Sequence, residues 1–387
     1  MVIEYRCIME ETVGLSIGII GSGRMGTDIF YYLSDYGFPM TWVCQGEVEK
    51  ESLETSFMKK LNRRKRNDLI DEASYVSRTC GTRITGVLQD LSGCDIIIEA
   101  IEEDEEAKSR LFIELERYVS DDAVITTNTS SIRPSRLIPN SGKGDRFAGL
   151  HFFYPVKYKN IAELIVTDQT SGKTLEVLRS FLSSIGRHYL EMHERDGFIL
   201  NRIFLDFQAE AYRLYDEGSL SMKAIDAMVK RELFPAGVFE FFDGVGIDVI
   251  YRSVMNYTEN VTDKRFYLPL IRGLESLNAD GRLGKKSGAG FYEYRQTDKE
   301  EDNDCGDLPD REIVSRLACL YINSAFRALE KNICNRNDLE YAIREYLSVE
   351  KGPFASADEI GRALIRDNLL KYFHESGFDA YRPSMLL

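Results

Sequence analysis

The chain has 387 residues, 43% of them hydrophobic, which is enough length and apolar content for two or three packed domains. Its formal net charge of −14 argues against general nucleic-acid binding and against adhesion to anionic membranes, and no apolar run approaches the ~18 residues of a membrane span. Seven scattered cysteines without a CxxC pair, and four histidines without ligand spacing, predict free thiols, no metal site and a cytoplasmic location.

A short apolar run at residues 15–20 is typical of a buried parallel strand, and GSGRMG follows it at 21–26. A helical pattern then runs through Ile29, Tyr32 and Leu33. The pattern GxGxxG therefore stands between a strand and a helix, where a dinucleotide-binding loop requires it. Its glycines let the backbone approach a pyrophosphate, to which the helix N-terminus offers N–H groups.

The second strand is expected at 40–43, and in dinucleotide-binding domains it ends on an acid that binds the ribose 2′-hydroxyl. Cys44 and Gln45 stand there instead, and Glu47 is close enough to substitute. No arginine directly follows the strand to receive a 2′-phosphate. We therefore predict NAD as the cofactor, with NADP as the alternative.

Two further buried strands are expected at 95–100 and 123–127. Acids and Lys108 follow the first of them, and the segment NTSS at 128–131 follows the second. Ligands of such sheets bind at the carboxyl ends of the strands. We therefore expect Ser130 to lie near the bound nucleotide.

The run DRFAGLHFFYPVKYKNIAE at 145–163 places His151 in an aromatic stretch and Glu163 twelve residues later. Histidine is the natural side chain for moving a proton near neutral pH, and a carboxylate can fix its tautomer and raise its basicity. Beside a nicotinamide, such a pair makes an oxidoreductase that interconverts alcohols and ketones. The alternative interpretation is a core histidine in a buried strand.

The chain becomes helical from about residue 190, with a long amphipathic helix expected at 201–217. After a polar, acidic connection the helical pattern repeats at an offset of 114 residues. The repeat aligns Asn201-Arg202 with Ser315-Arg316, and Ala211-Tyr212-Arg213 with Ala325-Phe326-Arg327. Because Ser315 replaces Asn201, we expect a structural copy and not a second active site.

Seven stretches resemble the L-3-hydroxyacyl-CoA dehydrogenase family, in its order and spacing, over about residues 15–295. They are GSGRMG, IIEAIEEDEEAK, TNTSSI, DRFAGLHFFYPV, GFILNR, FPAGVFEFFDGVGID and GRLGKKSGAGFYEY. The resemblance implies an α/β Rossmann-type N-terminal domain followed by two all-α modules of the family's C-terminal type. The expected divisions are a dinucleotide-binding domain at 1–193, a helical substrate domain at 194–295, an acidic linker at 296–311 and a degenerate helical module at 312–387.

The resemblance also implies roles for individual residues. His151 is the base that takes the proton of the 3-hydroxyl, Glu163 orients it, Ser130 lies near the substrate oxygen, and Asn201 positions the reacting groups. The residues predicted to contact the cofactor are Gly21, Gly23, Arg24, Met25, Gly26, Gln45, Glu103, Lys108 and Asn128. Those predicted to contact the substrate are Ser130, Tyr154, Asn201, Lys60 and Arg64.

Two positions depart from the family pattern. Tyr154 stands where the family has the asparagine of HFFNP, and Cys44 stands in place of the ribose acid. Both suggest an atypical substrate or cofactor preference more than a dead enzyme. A basic cluster at 59–66 lies where the family has the coenzyme A phosphates nearby, so it fits a phosphate or carrier-protein contact. A solvated helix face is the alternative.

The predicted activity is an NAD(P)-dependent interconversion of L-3-hydroxyacyl and 3-oxoacyl thioesters of coenzyme A or a carrier protein. A dehydrogenase of another small alcohol, and an inactive nucleotide-binding relative, are the alternatives. Single-module relatives pair their helical domains across a dimer. We therefore expect an intrachain pseudo-dimer that is a monomer or a weak homo-oligomer, with no nucleic-acid or membrane partner.

Overall fold

A computed structural model describes residues 14–138, 143–195, 198–294 and 311–387. The chain divides into two compact units, Met1–Glu194 and Arg195–Leu387. The predicted linker at 296–311 lies outside the described residues except for its last position. The predicted division into four segments therefore stays a prediction.

The first unit is built on one eight-stranded sheet with the order β3-β2-β1-β4-β5-β6-β7-β8. Its strands are β1 (Ile17–Ile20), β2 (Met40–Val43), β3 (Thr82–Thr85), β4 (Ile96–Glu99), β5 (Val124–Thr127), β6 (Phe147–Phe152), β7 (Ile161–Val166) and β8 (His188–His193). All neighbouring strands pair in parallel except β6 and β7, which are antiparallel. This sheet confirms the predicted Rossmann-type fold.

Helices cover both faces of the sheet, which is why its central strands are continuous apolar runs. They are α1 (Arg24–Leu33), α2 (Gly46–Arg66), α3 (Glu72–Gly81), α4 (Glu105–Leu115), α5 (Pro134–Leu137) and α6 (Gly172–Ser184). Successive strand residues point to opposite faces. Accordingly, Ile96 and Ile98 belong to one buried cluster, with Trp42 and Phe181, while Ile97 belongs to a second cluster.

The second unit is helical and contains two modules. The first comprises α7 (Ile199–Asp216), α8 (Met222–Glu232), α9 (Val238–Val245), α10 (Ile247–Thr258) and α11 (Leu268–Ala279). The second comprises α12 (Arg311–Glu330), α13 (Arg336–Leu347), α14 (Pro353–Ile360) and α15 (Arg362–Ser376). Helices α7 and α12, the first of each module, pack against each other. No helix in the described ranges is both long enough and apolar enough to cross a membrane.

The two modules use the same capping devices at equivalent positions. Helix α8 is capped by Ser221, which accepts a hydrogen bond from a backbone N–H three residues later, and Asn335 caps α13 in the same way. A glycine with positive φ precedes α10 and α15, at Gly246 and Gly361. The offset is 114 residues for the first pair and 115 for the second, so the structure confirms the duplication and shows that the second module has one additional residue between these two positions.

A buried carboxylate gives independent support for the repeat. Asp226 on α8 accepts hydrogen bonds from the backbone N–H of Phe239 and Glu240, at 3.0 and 2.9 Å, in the first turn of α9. Glu340 on α13 accepts from the N–H of Gly352 and Phe354, both at 2.9 Å, at the start of α14. Each carboxylate satisfies N–H groups that a helix N-terminus leaves without a partner inside the helix.

Candidate active site

The connection from β1 into the first turn of α1 requires glycine at two positions. Gly21 has a φ of +110°, and a Cβ there would lie 2.5 Å from the Ala100 carbonyl oxygen. A Cβ on Gly26 would lie 2.1 Å from the Gly21 carbonyl oxygen. Both separations are far below van der Waals contact, so these glycines bring β1, β4 and α1 together.

Gly23 meets a different requirement. It is the N-cap of α1 and provides no side-chain hydrogen bond to the helix, and a Cβ there would meet nothing within 4 Å. Open space therefore faces the first turn of a helix, which Arg24 and Met25 begin. An anion is stabilised there by N–H groups and by the helix dipole, so these residues fit the pyrophosphate of a dinucleotide.

The end of β2 presents no acid of its own. Cys44 is buried and its thiol donates to the Thr85 carbonyl oxygen at 3.4 Å, so it faces the sheet. The exposed Gln45 is the N-cap of α2. One turn into α2, the Glu49 carboxylate accepts hydrogen bonds from the Gln45 backbone N–H at 2.7 Å and from the Ser22 hydroxyl at 2.6 Å. A carboxylate thus lies between the glycine loop and the end of β2.

Glu49 is a residue that reasoning from the sequence missed. Glu47, the substitute suggested there, is exposed and pairs with Lys50 at 2.5 Å. The signal for Glu49 is a glutamate in the first turns of a helix, where such a side chain reaches back to a backbone N–H at the helix start. Gly46, with a φ of +78°, makes the turn that starts α2.

Beyond β4, a buried ion pair fixes the strand end. The Lys108 ammonium lies 2.5 Å from the Glu99 carboxylate, with the two side chains 1% and 0% exposed. Glu99 also accepts from the Thr127 hydroxyl of β5 at 2.6 Å. Lys108 therefore joins α4 to two strands, and its predicted contact with the cofactor stays a prediction.

Glu103 organises the loop that follows β5. Its carboxylate accepts from the Thr129 hydroxyl at 2.6 Å, from the Ser130 N–H at 2.9 Å, and from the Ser131 N–H and hydroxyl at 3.0 and 2.8 Å. Burial raises the pKa of Glu103, but Lys108 and these donors more than offset burial, so the pKa lies below its ordinary value. An ionised Glu103 thus holds Ser130 in place.

Asn128 links this loop to the strand that carries the histidine. Its side-chain oxygen accepts from the Phe152 N–H of β6 at 2.8 Å, and its own N–H donates to the Glu99 carbonyl oxygen at 2.7 Å. Because β5 and β6 are parallel neighbours, Ser130 emerges at the same end of the sheet as His151.

His151 and Glu163 form a buried pair. They are direct partners in the antiparallel ladder of β6 and β7, and His151 Nδ1 lies 2.8 Å from a Glu163 carboxylate oxygen. The two side chains are 8% and 0% exposed. The histidine is indeed in a buried strand, as the alternative interpretation had it, and it also has the predicted carboxylate partner. The carboxylate can accept from Nδ1–H, which leaves Nε2 as the nitrogen able to take up a proton.

Tyr154 follows β6 and is 52% exposed. The Arg24 guanidinium lies 5.6 Å from the centre of its ring, a cation–π distance. Tyr154, one of the two residues that depart from the family pattern, therefore lies beside the glycine loop.

The basic cluster on α2 divides between two faces of the helix. Lys60 lies over the Tyr31 ring at 3.4 Å, where burial lowers the pKa of its ammonium group, and Arg64 forms an ion pair with Asp35. Lys60 and Arg64, the two residues of this cluster that were predicted to contact the substrate, thus contact α1 or the turn after it. The basic residues of the cluster that are exposed and have no ion pair in the described part of the chain are Lys59, Arg63 and Arg66.

Asn201 belongs to the second unit, in the first turn of α7. Its side-chain oxygen accepts a hydrogen bond from the Tyr346 hydroxyl of α13 at 3.2 Å. Within the first unit, the structure brings together the glycine loop, Glu49, the Ser130 loop and the His151–Glu163 pair at the carboxyl ends of the parallel strands. This is the edge at which such sheets bind their ligands.

Comparison with known proteins identifies the two units. The model of the 3-hydroxyacyl-CoA dehydrogenase NAD binding domain matches residues 16–195. The model of the 3-hydroxyacyl-CoA dehydrogenase C-terminal domain matches residues 197–294 and again 313–387. The second match agrees with the repeated helical module. The first indicates NAD as the cofactor, as predicted from the absence of an arginine directly after the second strand, with NADP as the alternative.

Some similar proteins match about three quarters of the chain, and others match nearly all of it. The chain is 32% identical over 286 residues to human mitochondrial hydroxyacyl-coenzyme A dehydrogenase, covering 72% of the chain and 91% of that protein. It is 31% identical over 287 residues to 3-hydroxybutyryl-CoA dehydrogenase of Bradyrhizobium diazoefficiens, covering 72% of the chain and 95% of that protein.

Two solved structures also differ in how much of this chain they match. The structure of (S)-3-hydroxybutyryl-CoA dehydrogenase from Ralstonia eutropha has a TM-score of 0.65 and 27% identity, covering 73% of this chain and 99% of that one. That of 3-hydroxybutyryl-CoA dehydrogenase from Escherichia coli has a TM-score of 0.84 over 96% of this chain and 97% of that one. At 22% identity, the latter likeness concerns the fold, and it extends through the second module.

Proposed function

Because the chain belongs to the 3-hydroxyacyl-CoA dehydrogenase family of NAD-dependent oxidoreductases, we propose that it interconverts an L-3-hydroxyacyl and a 3-oxoacyl thioester of coenzyme A, with His151 as the general base. The observation that carries the proposal is the His151–Glu163 pair, with Nδ1 2.8 Å from the carboxylate and both side chains buried. Bound NAD would accept the hydride from the 3-carbon of the alcohol.

The chain's own residues move the proton and bind the oxygen. Glu163 accepts from His151 Nδ1–H and thereby holds the imidazole with Nε2 unprotonated, ready to take the proton of the 3-hydroxyl. The negative charge of Glu163 also stabilises the imidazolium that results. The Ser130 hydroxyl donates to Glu103 at 3.2 Å, and it would turn from that carboxylate to donate to the substrate oxygen. Asn201 provides a side-chain amide for the same oxygen.

A stripe on α2 suits the phosphates of coenzyme A. Lys59, Arg63 and Arg66 are spaced at i, i+4 and i+7, so they lie on one face of the helix. All three are exposed, in a chain whose net charge is −14. We assign the phosphate contact to this stripe, because Lys60 and Arg64 are occupied by Tyr31 and Asp35.

A panel of substrates tests the proposed function. Acetoacetyl-coenzyme A, an acetoacetyl carrier-protein thioester and free acetoacetate are each mixed with NADH and with NADPH, and nicotinamide absorbance is followed. We expect turnover with NADH and the coenzyme A thioester. Preference for the carrier-protein thioester would replace coenzyme A with a carrier protein in the proposed substrate. Preference for the free acid would support a dehydrogenase of another small alcohol. NADH binding without any turnover would support an inactive relative.

We further propose that Glu49 binds the adenosine ribose in place of the missing acid at the end of β2. Its contacts with Ser22 and the Gln45 N–H hold a carboxylate beside the glycine loop. Glu49→Gln is expected to raise the KM for NAD about tenfold, because a hydrogen bond from the ribose to a charged group is lost. It should also lower the NAD-to-NADP ratio of kcat/KM, since repulsion of a 2′-phosphate disappears.

Glu47→Gln is the matched control, because it makes the same change two residues earlier on the same helix. Its KM for both cofactors should stay within about twofold of the wild-type value, because surface substitutions of this kind have small effects. If the two variants have the same cofactor kinetics, Glu49 does not bind the ribose. Glu49 also caps the start of α2 through the Gln45 N–H, so a thermal melt of Glu49→Gln is measured as well. Loss of this cap is expected to lower the free energy of unfolding by about 1 kcal/mol, whereas loss of the ribose contact changes only the cofactor kinetics.

The second module, we propose, takes the place of a dimer partner. What supports this is the packing of α7 against α12 and the buried Glu210, whose carboxylate lies 2.8 Å from the Arg316 guanidinium of the other module. Separating the modules would leave the buried Glu210 carboxylate without this cation, which is costly, so the modules should stay together. Light scattering is expected to give the mass of a single chain at micromolar concentration. A stable dimer joined through α7 would contradict the pseudo-dimer.

A further inference from the structure

The second module reaches the amide that the proposed reaction uses. Asn201 lies in the first turn of α7, and Tyr346 lies near the end of α13, 145 residues later in the chain. The Tyr346 hydroxyl donates a hydrogen bond to Asn201 Oδ1 at 3.2 Å. Both residues belong to the helical unit, so this contact depends only on the packing within that unit.

Aromatic packing fixes the position of the Tyr346 hydroxyl. The Tyr346 ring lies against Phe204 of α7, with the ring centres 5.8 Å apart. Phe204 is also stacked on Tyr321 at 5.3 Å and meets Phe234 edge-on at 5.6 Å. Because Phe204 lies one turn after Asn201 on the same helix, the ring that carries the hydroxyl and the amide that receives it are held on one scaffold.

We propose that Tyr346 is a positioning residue, which orients the Asn201 side chain for the reaction. An asparagine amide has one acceptor end and one donor end. The donation from Tyr346 commits Oδ1 to the second module and leaves Nδ2 as the end that can donate to the substrate oxygen. The proposal rests on the proposed function, because it gives Asn201 the role of that donor.

As a positioning residue, Tyr346 lets the second module contribute to the reaction without having an active site of its own. Position 315, which the repeat aligns with Asn201, is a serine whose hydroxyl accepts from the Asn368 side chain at 3.2 Å. That serine is bound within its own module. The second module therefore contributes to the first through Tyr346, and its own equivalent of Asn201 is used for packing.

Tyr346→Phe tests the role, because it removes the hydroxyl and keeps the ring on Phe204. We expect kcat for acetoacetyl-coenzyme A reduction to fall about five- to tenfold, the effect of losing one hydrogen bond that orients a reacting group. NADH affinity, measured by fluorescence titration, should stay unchanged, and so should the melting temperature within about 2 °C. A purely structural hydroxyl would leave kcat unchanged and lower the melting temperature.

Tyr321→Phe is the matched control. Tyr321 is also a tyrosine of the second module whose ring packs on Phe204, and its buried hydroxyl makes no hydrogen bond within the described residues. Its removal should leave kcat unchanged. If both variants lower kcat equally, the effect comes from ring packing and the proposal for Tyr346 is wrong.

A double-mutant cycle connects the two residues and separates the proposal from the function beneath it. In an Asn201→Ala background, Tyr346→Phe should cause no further loss of kcat, because the amide it orients is absent. Full additivity of the two losses would overturn the proposal. If Asn201→Ala retains wild-type kcat, the role of Asn201 in the proposed function fails instead, and if the wild-type protein turns over no thioester, the function fails as a whole.

Discussion

Replacing His151 with glutamine is expected to slow the reaction of a 3-hydroxyacyl thioester with NAD by about a thousandfold or more. General base catalysis by a positioned side chain contributes on the order of 10² to 10⁴ in rate, and glutamine cannot take up the proton. Glutamine is polar and of similar length, so β6 should keep its register with β7. Single-turnover absorbance of the nicotinamide measures the chemical step, and fluorescence titration should show NADH binding close to that of the wild type.

His193→Gln serves as the control for this prediction. His193 ends β8 of the same sheet and is exposed, so the substitution makes the same chemical change away from the Glu163 carboxylate. We expect full turnover. Retention of more than about a tenth of the wild-type rate by His151→Gln would mean that another group takes the proton, and the proposed mechanism would then have to be abandoned.

The second large effect is expected at the glycine loop. Gly26→Ala places a Cβ 2.1 Å from the Gly21 carbonyl oxygen. Because that oxygen is a backbone atom, no side chain can move aside, and the turn itself must shift. Overpacking of this kind costs about 1 to 3 kcal/mol, and displacement of the same loop should weaken NADH binding by about 10- to 100-fold. Calorimetry and fluorescence titration measure the two losses separately.

Two other glycines show whether stability or the cofactor is the cause. At Gly23 and at Gly172, the first residue of α6, a Cβ would meet nothing within 4 Å. Gly23→Ala is therefore expected to lower the melting temperature only slightly, since alanine is a poorer N-cap than glycine. It should weaken NADH binding about tenfold, because the methyl group occupies the space assigned to the pyrophosphate. Gly172→Ala should change neither quantity. Unaltered NADH affinity in Gly23→Ala would place the pyrophosphate elsewhere.

The central strands and the glycine loop could be predicted because they are local. Residues 17–20 are apolar without interruption, and the glycines that follow stand where the turn and the close approach of α1 require them. The pairing of His151 with Glu163 was also within reach, since an antiparallel return from one buried strand to the next brings residues twelve apart into register.

The residues that lay out of reach depend on helix orientation or tertiary packing. The separation of Lys60 and Arg64 from Lys59 and Arg63 depends on the orientation of α2, whose inward face the buried Phe57 and Leu61 mark. Position alone could not select Glu49 over Glu47, since that choice depends on the turn at Gly46. The contact between Tyr346 and Asn201 joins residues 145 apart, and no periodicity of the sequence indicates it.

Because the two modules belong to one chain, the two sides of the contact between α7 and α13 can be substituted independently. In a symmetric homodimer, one gene change alters both copies of an interface at once, because each surface meets its own duplicate. Tyr346 aligns with Glu232 at the offset of 114, so two sites that symmetry would force to be identical have become different residues. A fused chain can acquire Tyr346 opposite Asn201 without placing a second tyrosine at position 232. Each module is therefore free to specialise.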